Sequence, residues 1–212
     1  MDRRRFLGLV GGSFAAAPAL VGCRSKQVGE VIQDGKKDMV GSHAAGAETY
    51  KPMIDEAVAK LLARQDAGLQ PASTAAPVPK VICFVGVQNK GSDDLIDWKD
   101  QINEIIDTKI NNSQVFTSLS RKYVAAAIET HRLRPEDLFK PDCQEKFMST
   151  MRSQGMPFDY LLFATTTTGT TQNNDSSQKD HLLTLELVNI QTGISSKESA
   201  SIRKGYRKSR RP

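Results

Sequence analysis

Leu182-Leu183-Thr184-Leu185-Glu186-Leu187-Val188-Asn189-Ile190 runs into Gln191-Thr192-Gly193 and then into Ile194 to Ile202. The first nine residues alternate. In an extended chain Leu183, Leu185 and Leu187 share one face, and Leu182, Thr184, Glu186, Val188 and Ile190 share the other. Gln191-Thr192-Gly193 has the composition of a tight turn, so residues 182–190 and 194–202 form a hairpin. Tyr160 to Thr168 is a third strand, apolar first and then four Thr. Gly169 to Gln178 is polar enough to read as the loop between the third strand and the hairpin.

Working towards the N-terminus, the periodicity changes. Val81 to Val87 is nearly continuous apolar, the signature of a central strand covered on both faces. Trp98, Ile102, Ile105, Ile106 and Ile110 mark a helix that Asn111-Asn112-Ser113 ends, with Asn suited to a left-handed cap. Val115 to Leu119 is a short strand. Ser120 caps a third helix with Tyr123, Val124, Ala127, Ile128 and His131 inward. Leu133 to Leu138 is a turn. Pro141 opens a helix that gathers Cys143, Phe147, Met148 and Met151 and stops at Gly155. Before all of these, Met53, Ile54, Ala57, Val58, Leu61 and Leu62 stripe a helix over residues 50–66. Thr49 is its expected cap and Pro52 falls in its expected first turn. Gln70 to Pro79 holds three Pro and reads as a loop. The fold class is α/β: a single mixed β-sheet of about four to five strands flanked by helices.

The first 22 residues belong to no such element. Arg3-Arg4-Arg5 precede an apolar run from Phe6 to Gly22, shorter than the ~20 wholly apolar residues of a membrane span, which describes an export leader. Arg3, Arg4, Phe6 and Leu7 fit the twin-arginine pattern. Leu20-Val21-Gly22-Cys23 resembles a lipobox, in which the Cys23 thiol takes a lipid and the leader is cut before it. The chain is thus read as a signal peptide over residues 1–22, a lipidated flexible tether over 23–48, a globular domain over 49–204 and a basic tail over 205–212. Residue 24 is Arg, not the Asp that holds some lipoproteins at the inner membrane, which favours the outer membrane facing the periplasm.

Composition narrows the function. The 212 residues carry a net charge of +5, and removing the leader takes away three Arg and one Asp. Six of the nine residues from Arg203 to Arg211 are basic. In an exported chain such a tail is either simply solvated or meets cell-wall carboxylates, lipid head groups or acidic protein, and not nucleic acid. Cys83 and Cys143 could pair in an oxidising compartment, but Cys83 lies in an apolar strand and reads as a small core residue. His43 lies in the tether, His131 on a helix stripe and His181 at a strand start, with no metal-ligand spacing. No phosphate loop, nucleophile elbow or ordered triad is present. Asp93-Asp94 and Glu136-Asp137 are cap-like. No catalytic residue, metal or cofactor follows from these residues.

One family gathers several of these pieces. Tyr50-Lys51-Pro52-Met53 to Leu62, Asn111 to Thr117, Leu133 to Leu138, Asp159 to Phe163 and Leu185 to Gly193 together resemble the LpoB-type penicillin-binding-protein activators, over about residues 48–204 and in the same order. That resemblance implies a fold like the N-terminal domain of TolB. It also implies a non-enzymatic lipoprotein that binds a class A penicillin-binding protein, a peptidoglycan synthase, and stimulates it allosterically, with peptidoglycan itself a further partner. The interface would be one sheet edge or helix face, with no residues assigned. An envelope assembly or secretion-apparatus lipoprotein of related fold stays open. So does an exported hydrolase built around His181 and the 169–178 segment.

Overall fold

The computed structural model describes residues 46–68, 79–92, 95–172 and 176–207. The leader, Cys23, His43, Asp93, Asp94 and the basic residues beyond Arg207 lie outside the described residues.

α1 spans Ala47–Gly68 and starts a turn earlier than its apolar stripe suggests. The Gly46 carbonyl accepts the N–H groups of Thr49 and Tyr50 at 2.9 and 3.1 Å. Thr49 is therefore inside the helix and buried, not its cap. Pro52 lies in the second turn, where it has no N–H to offer the carbonyl one turn back. Met53, Ile54, Ala57, Val58 and Leu61 face the sheet.

The sheet has five strands in the order β2-β1-β3-β4-β5: β1 Lys80–Asn89, β2 Phe116–Ser118, β3 Tyr160–Gln172, β4 Ser176–Asn189 and β5 Ser195–Arg207. β1 is parallel to β2 and to β3; β3, β4 and β5 are antiparallel neighbours. Within the polar loop expected over residues 169–178, residues 169–172 and 176–178 are strand instead. Gly169 to Gln172 pair with Asp180 to Ser177, and the same part of β4 pairs with Arg203 to Tyr206 of β5. Backbone pairing needs no apolar side chain, and the β-branched Thr residues suit it. β5 likewise continues past Ile202 to Arg207.

α2 (Ile96–Asn112) joins α1 on one face of the sheet, burying Ile102, Ile106 and Ile110 with Ile82, Phe84, Val87, Leu162, Ala164, Leu183, Leu185 and Leu187. The left-handed residue after α2 is Gln114, at φ 60°, and not one of the Asn residues. Asn111 instead accepts the Ser118 N–H at 2.8 Å, tying the helix end to β2. The opposite face carries α3 (Arg121–Thr130), a 3-10 turn at Pro135–Phe139 and α4 (Pro141–Ser153). There Val124, Ala127, Leu138, Phe147 and Met151 pack on Cys83, Leu161, Phe163 and Val188. Tyr123, expected inward, is half exposed. Ser120 begins α3 through its carbonyl, with no side-chain cap bond.

A β-bulge lets β1 serve both layers. The register skips between Phe84 and Gly86, so Phe84 and Val87 face the same side despite odd spacing. The Val87 N–H at the bulge goes to Asn103 Oδ1 of α2 at 3.0 Å, and Asn103 is buried.

Candidate interaction surfaces

The helical layer of α3, the 3-10 turn and α4 presents two exposed aromatic rings, Tyr123 and Phe139, each 54% accessible. Adjacent Leu138 and Phe139 cannot both point inward from so tight a turn. Leu138 takes the core and Phe139 the surface. Phe139 is nonetheless held: its ring stacks on Phe163 of β3 at 4.7 Å between centroids. The turn beneath it is pinned by Asp137, whose carboxylate accepts the Arg134 N–H at 2.9 Å and a proton of Lys140 Nζ at 2.7 Å. The Lys140 bond holds the Asp137 carboxyl below the usual carboxylate range. Of the cap-like pair Glu136-Asp137, Asp137 thus serves as the cap.

Between the end of α3 and the outer stripe of α4 lies an open groove of about 530 Å³, lined by His131, Asp142, Glu145, Lys146, Ser149 and Thr150. His131 Nε2 lies 2.7 Å from Thr150 Oγ1, so the imidazole bridges the two helices. Exposed aromatic rings are the usual anchors of a protein-binding surface, where a few residues carry most of the energy.

The other sequence candidates lie apart from one another. His181 is buried inside β4, with Nδ1 3.4 Å from Thr168 Oγ1. Beside it, Gly169 to Gln172 and Ser177 to Asp180 form a paired ladder. Cys83 and Cys143 are free thiols; Cys83 is buried, and burial pushes its thiol up, out of the nucleophilic range. Among the described residues no group of three His, Cys, Asp or Glu is placed to hold a metal ion, and no helix is long and apolar enough to cross a membrane.

A second surface lies on the same face of the sheet, beyond the helical cover. The apolar layer under α3 and α4 ends at the row Phe163, Glu186, Lys197. Past it the register sets Thr165, Thr184 and Ser199 in one row, then Thr167, Leu182 and Ser201 in the next. Leu182, Ser199 and Ser201 are exposed and the three Thr are half-buried. Sequence patterning gave the alternation of β4 but not the place where cover stops, which depends on the helices above.

No protein-family model and no curated protein matches the chain. Solved structures do. The LpoB C-terminal domain from Salmonella enterica is 18% identical at a TM-score of 0.47, covering 72% of this chain and 97% of that one. The LpoB C-terminal domain from Escherichia coli is 19% identical at 0.44, covering 72% and 98%. The NMR structure of E. coli LpoB is 17% identical at 0.45, covering 96% of each chain. The chain itself is a mixed five-stranded sheet between two helical layers.

Proposed function

We propose that the chain is a lipid-anchored periplasmic protein that binds a class A penicillin-binding protein and stimulates it. Cys23 would carry the lipid, and the outer membrane would hold it. The observation that supports this reading is the pair of exposed rings on one helical layer, Tyr123 and Phe139, the latter fixed against Phe163. A rigid aromatic anchor loses little freedom on binding, so more of its buried area appears as affinity. The remaining support is the run of sequence motifs shared with the activator family and the architecture they imply. Stimulation by binding requires tighter association with the active synthase conformation than with the inactive one, and no bond need be made or broken by the activator.

The test is capture of the organism's own synthase by the full chain, followed by a glycan-polymerisation assay with and without it. Binding and a raised polymerisation rate are expected. Phe139→Ala with Tyr123→Ala should weaken capture by about thirtyfold, the scale of an aromatic hot spot. Absence of both capture and stimulation rejects the reading. For the anchor, labelled palmitate should enter the wild-type chain and not Cys23→Ala.

A further inference from the structure

We propose that the uncovered face of β3, β4 and β5 is a binding platform for a neutral glycan strand. The platform is separate from the aromatic helical layer and stands whether or not a synthase is the protein partner. Its chemistry is set by register. Thr165, Thr184 and Ser199 place three hydroxyls side by side across three strands, and Thr167 and Ser201 place two more in the adjacent row around Leu182. Neighbouring strands are ~4.8 Å apart and same-face residues along a strand ~6.8 Å apart, so the hydroxyls recur as a regular grid across the face. Among the described residues, no hydrogen bond engages the hydroxyls of these five side chains.

Three features select a neutral polyhydroxyl ligand. A hydroxyl both donates and accepts, so a row of them matches sugar hydroxyls in any rotamer, whereas a carboxylate or ammonium row would fix one role. The charges beside the rows are closed: Glu186 pairs with Lys197 at 3.1 Å, and Asp180 pairs with Arg203. Among the described residues, a charged polymer therefore meets no unpaired countercharge in the rows next to these hydroxyls. Leu182, 37% exposed between Thr167 and Ser201, offers an apolar patch to the C–H face of a ring. The opposite side of these same strands is closed by α1, which leaves one face for an extended, ribbon-like chain. A protein partner would be expected to seek the aromatic rings instead, since Ser and Thr are scarce among binding hot spots.

The experiment uses the full-length chain in detergent and insoluble chitin, an uncharged β-linked polymer, with cross-linked polyacrylamide beads, which carry no sugar, as the blank. Retention on chitin is expected, unchanged at about 0.5 M salt, where screening is down to a few ångströms. Thr165→Val, Thr184→Val and Ser199→Ala combined should lower retention by about tenfold or more, because the shape stays and the donors go. The same triple variant should still capture the synthase if the wild type does. Loss of retention in salt would assign the binding to the basic tail and overturn the proposal. So would equal retention of wild type on polyacrylamide, or of the triple variant on chitin. Should the triple variant fail to fold, Ser199→Ala with Ser201→Ala, both at exposed positions, gives the same readout.

Discussion

The two faces of β4 share a backbone and differ in everything that covers it. Leu183, Leu185 and Leu187 lie under α1 and are sealed from water. One residue out of phase, Leu182 and Thr184 look out past the end of the helical layer, and Glu186 does so at its margin. The difference teaches that a strand's alternation says which residues share a side, while the helices decide which side is core. The stripe under α1 secures the fold. The uncovered side keeps polar chemistry that packing does not need.

The strongest way to break that comparison is to truncate the same residue type on each side. Leu185→Ala should cost about 3 kcal/mol of unfolding free energy, the usual scale for a buried Leu losing contacts and leaving a cavity. Leu182→Ala should cost less than about 1 kcal/mol. Urea denaturation of the two variants measures both. Similar losses would mean that Leu182 is covered in solution.

The next largest effect concerns β1, whose bulge turns Val87 towards α1 and α2. Asn103→Leu removes the acceptor for the buried Val87 N–H, with an expected cost of about 2 kcal/mol for an orphaned donor. Thermal unfolding reads it. A neutral result would mean that the bulge finds water or another acceptor, and that the covered side does not depend on Asn103.

The rim of the helical cover offers a matched pair of smaller effects. α3 and α4 end in the same motif. Leu133 N–H bonds to Ile128 O at 3.0 Å and Arg132 N–H to Glu129 O at 2.9 Å; Met156 N–H bonds to Met151 O and Gly155 N–H to Arg152 O, each at 2.9 Å. The left-handed position of this motif favours glycine. α4 has Gly155 there, at φ 75°, and α3 has Arg132, at φ 50°. Arg132→Gly should therefore stabilise by about 0.5 kcal/mol and Gly155→Ala destabilise by about 1 kcal/mol. Differential scanning calorimetry on both decides whether the two ends are equivalent.

Much of this architecture was legible because large apolar residues repeat at the period of the element that buries them. The Leu183, Leu185, Leu187 stripe and the Val81 to Val87 run led directly to the hairpin and the central strand. Residues 169–172 and 176–178 look like a loop because they are Thr, Gly, Gln and Ser, whereas their pairing comes from the backbone of neighbouring strands. Tyr123 was placed inward because α3 has only ten residues, too few turns to tell a stripe through Tyr123 and Ala127 from one through Val124, Ala127 and Ile128. The bulge escaped notice because it rests on Asn103, one polar side chain sixteen residues away. The interaction surfaces were hidden for a related reason. Exposure of Phe139, and the limit of cover beyond Phe163, are properties of packed elements and not of local sequence.

The smallest expected effect tests the open face through its charges. Arg203 Nε donates to Asp180, and that bond, helped by Gln178, holds the Asp180 carboxyl below its ordinary range. A carboxyl whose pKa is lower in the folded chain than the unfolded value of about 4 stabilises the fold above that unfolded value. The contribution disappears as pH falls through the lower, folded one. Asp180→Asn should therefore melt slightly below wild type near neutrality, and the two melting curves should converge on acidification below pH about 4. Because the pair is exposed, added salt should shrink the gap at neutral pH. Asp137→Asn should behave with the same sign, since Lys140 depresses that carboxyl in the same way beneath the helical layer. A gap that persists or widens in acid would show that Asp180 stabilises the pairing of β4 with β5 by something other than its charge. In that case the ion pair would not be what keeps the uncovered face neutral.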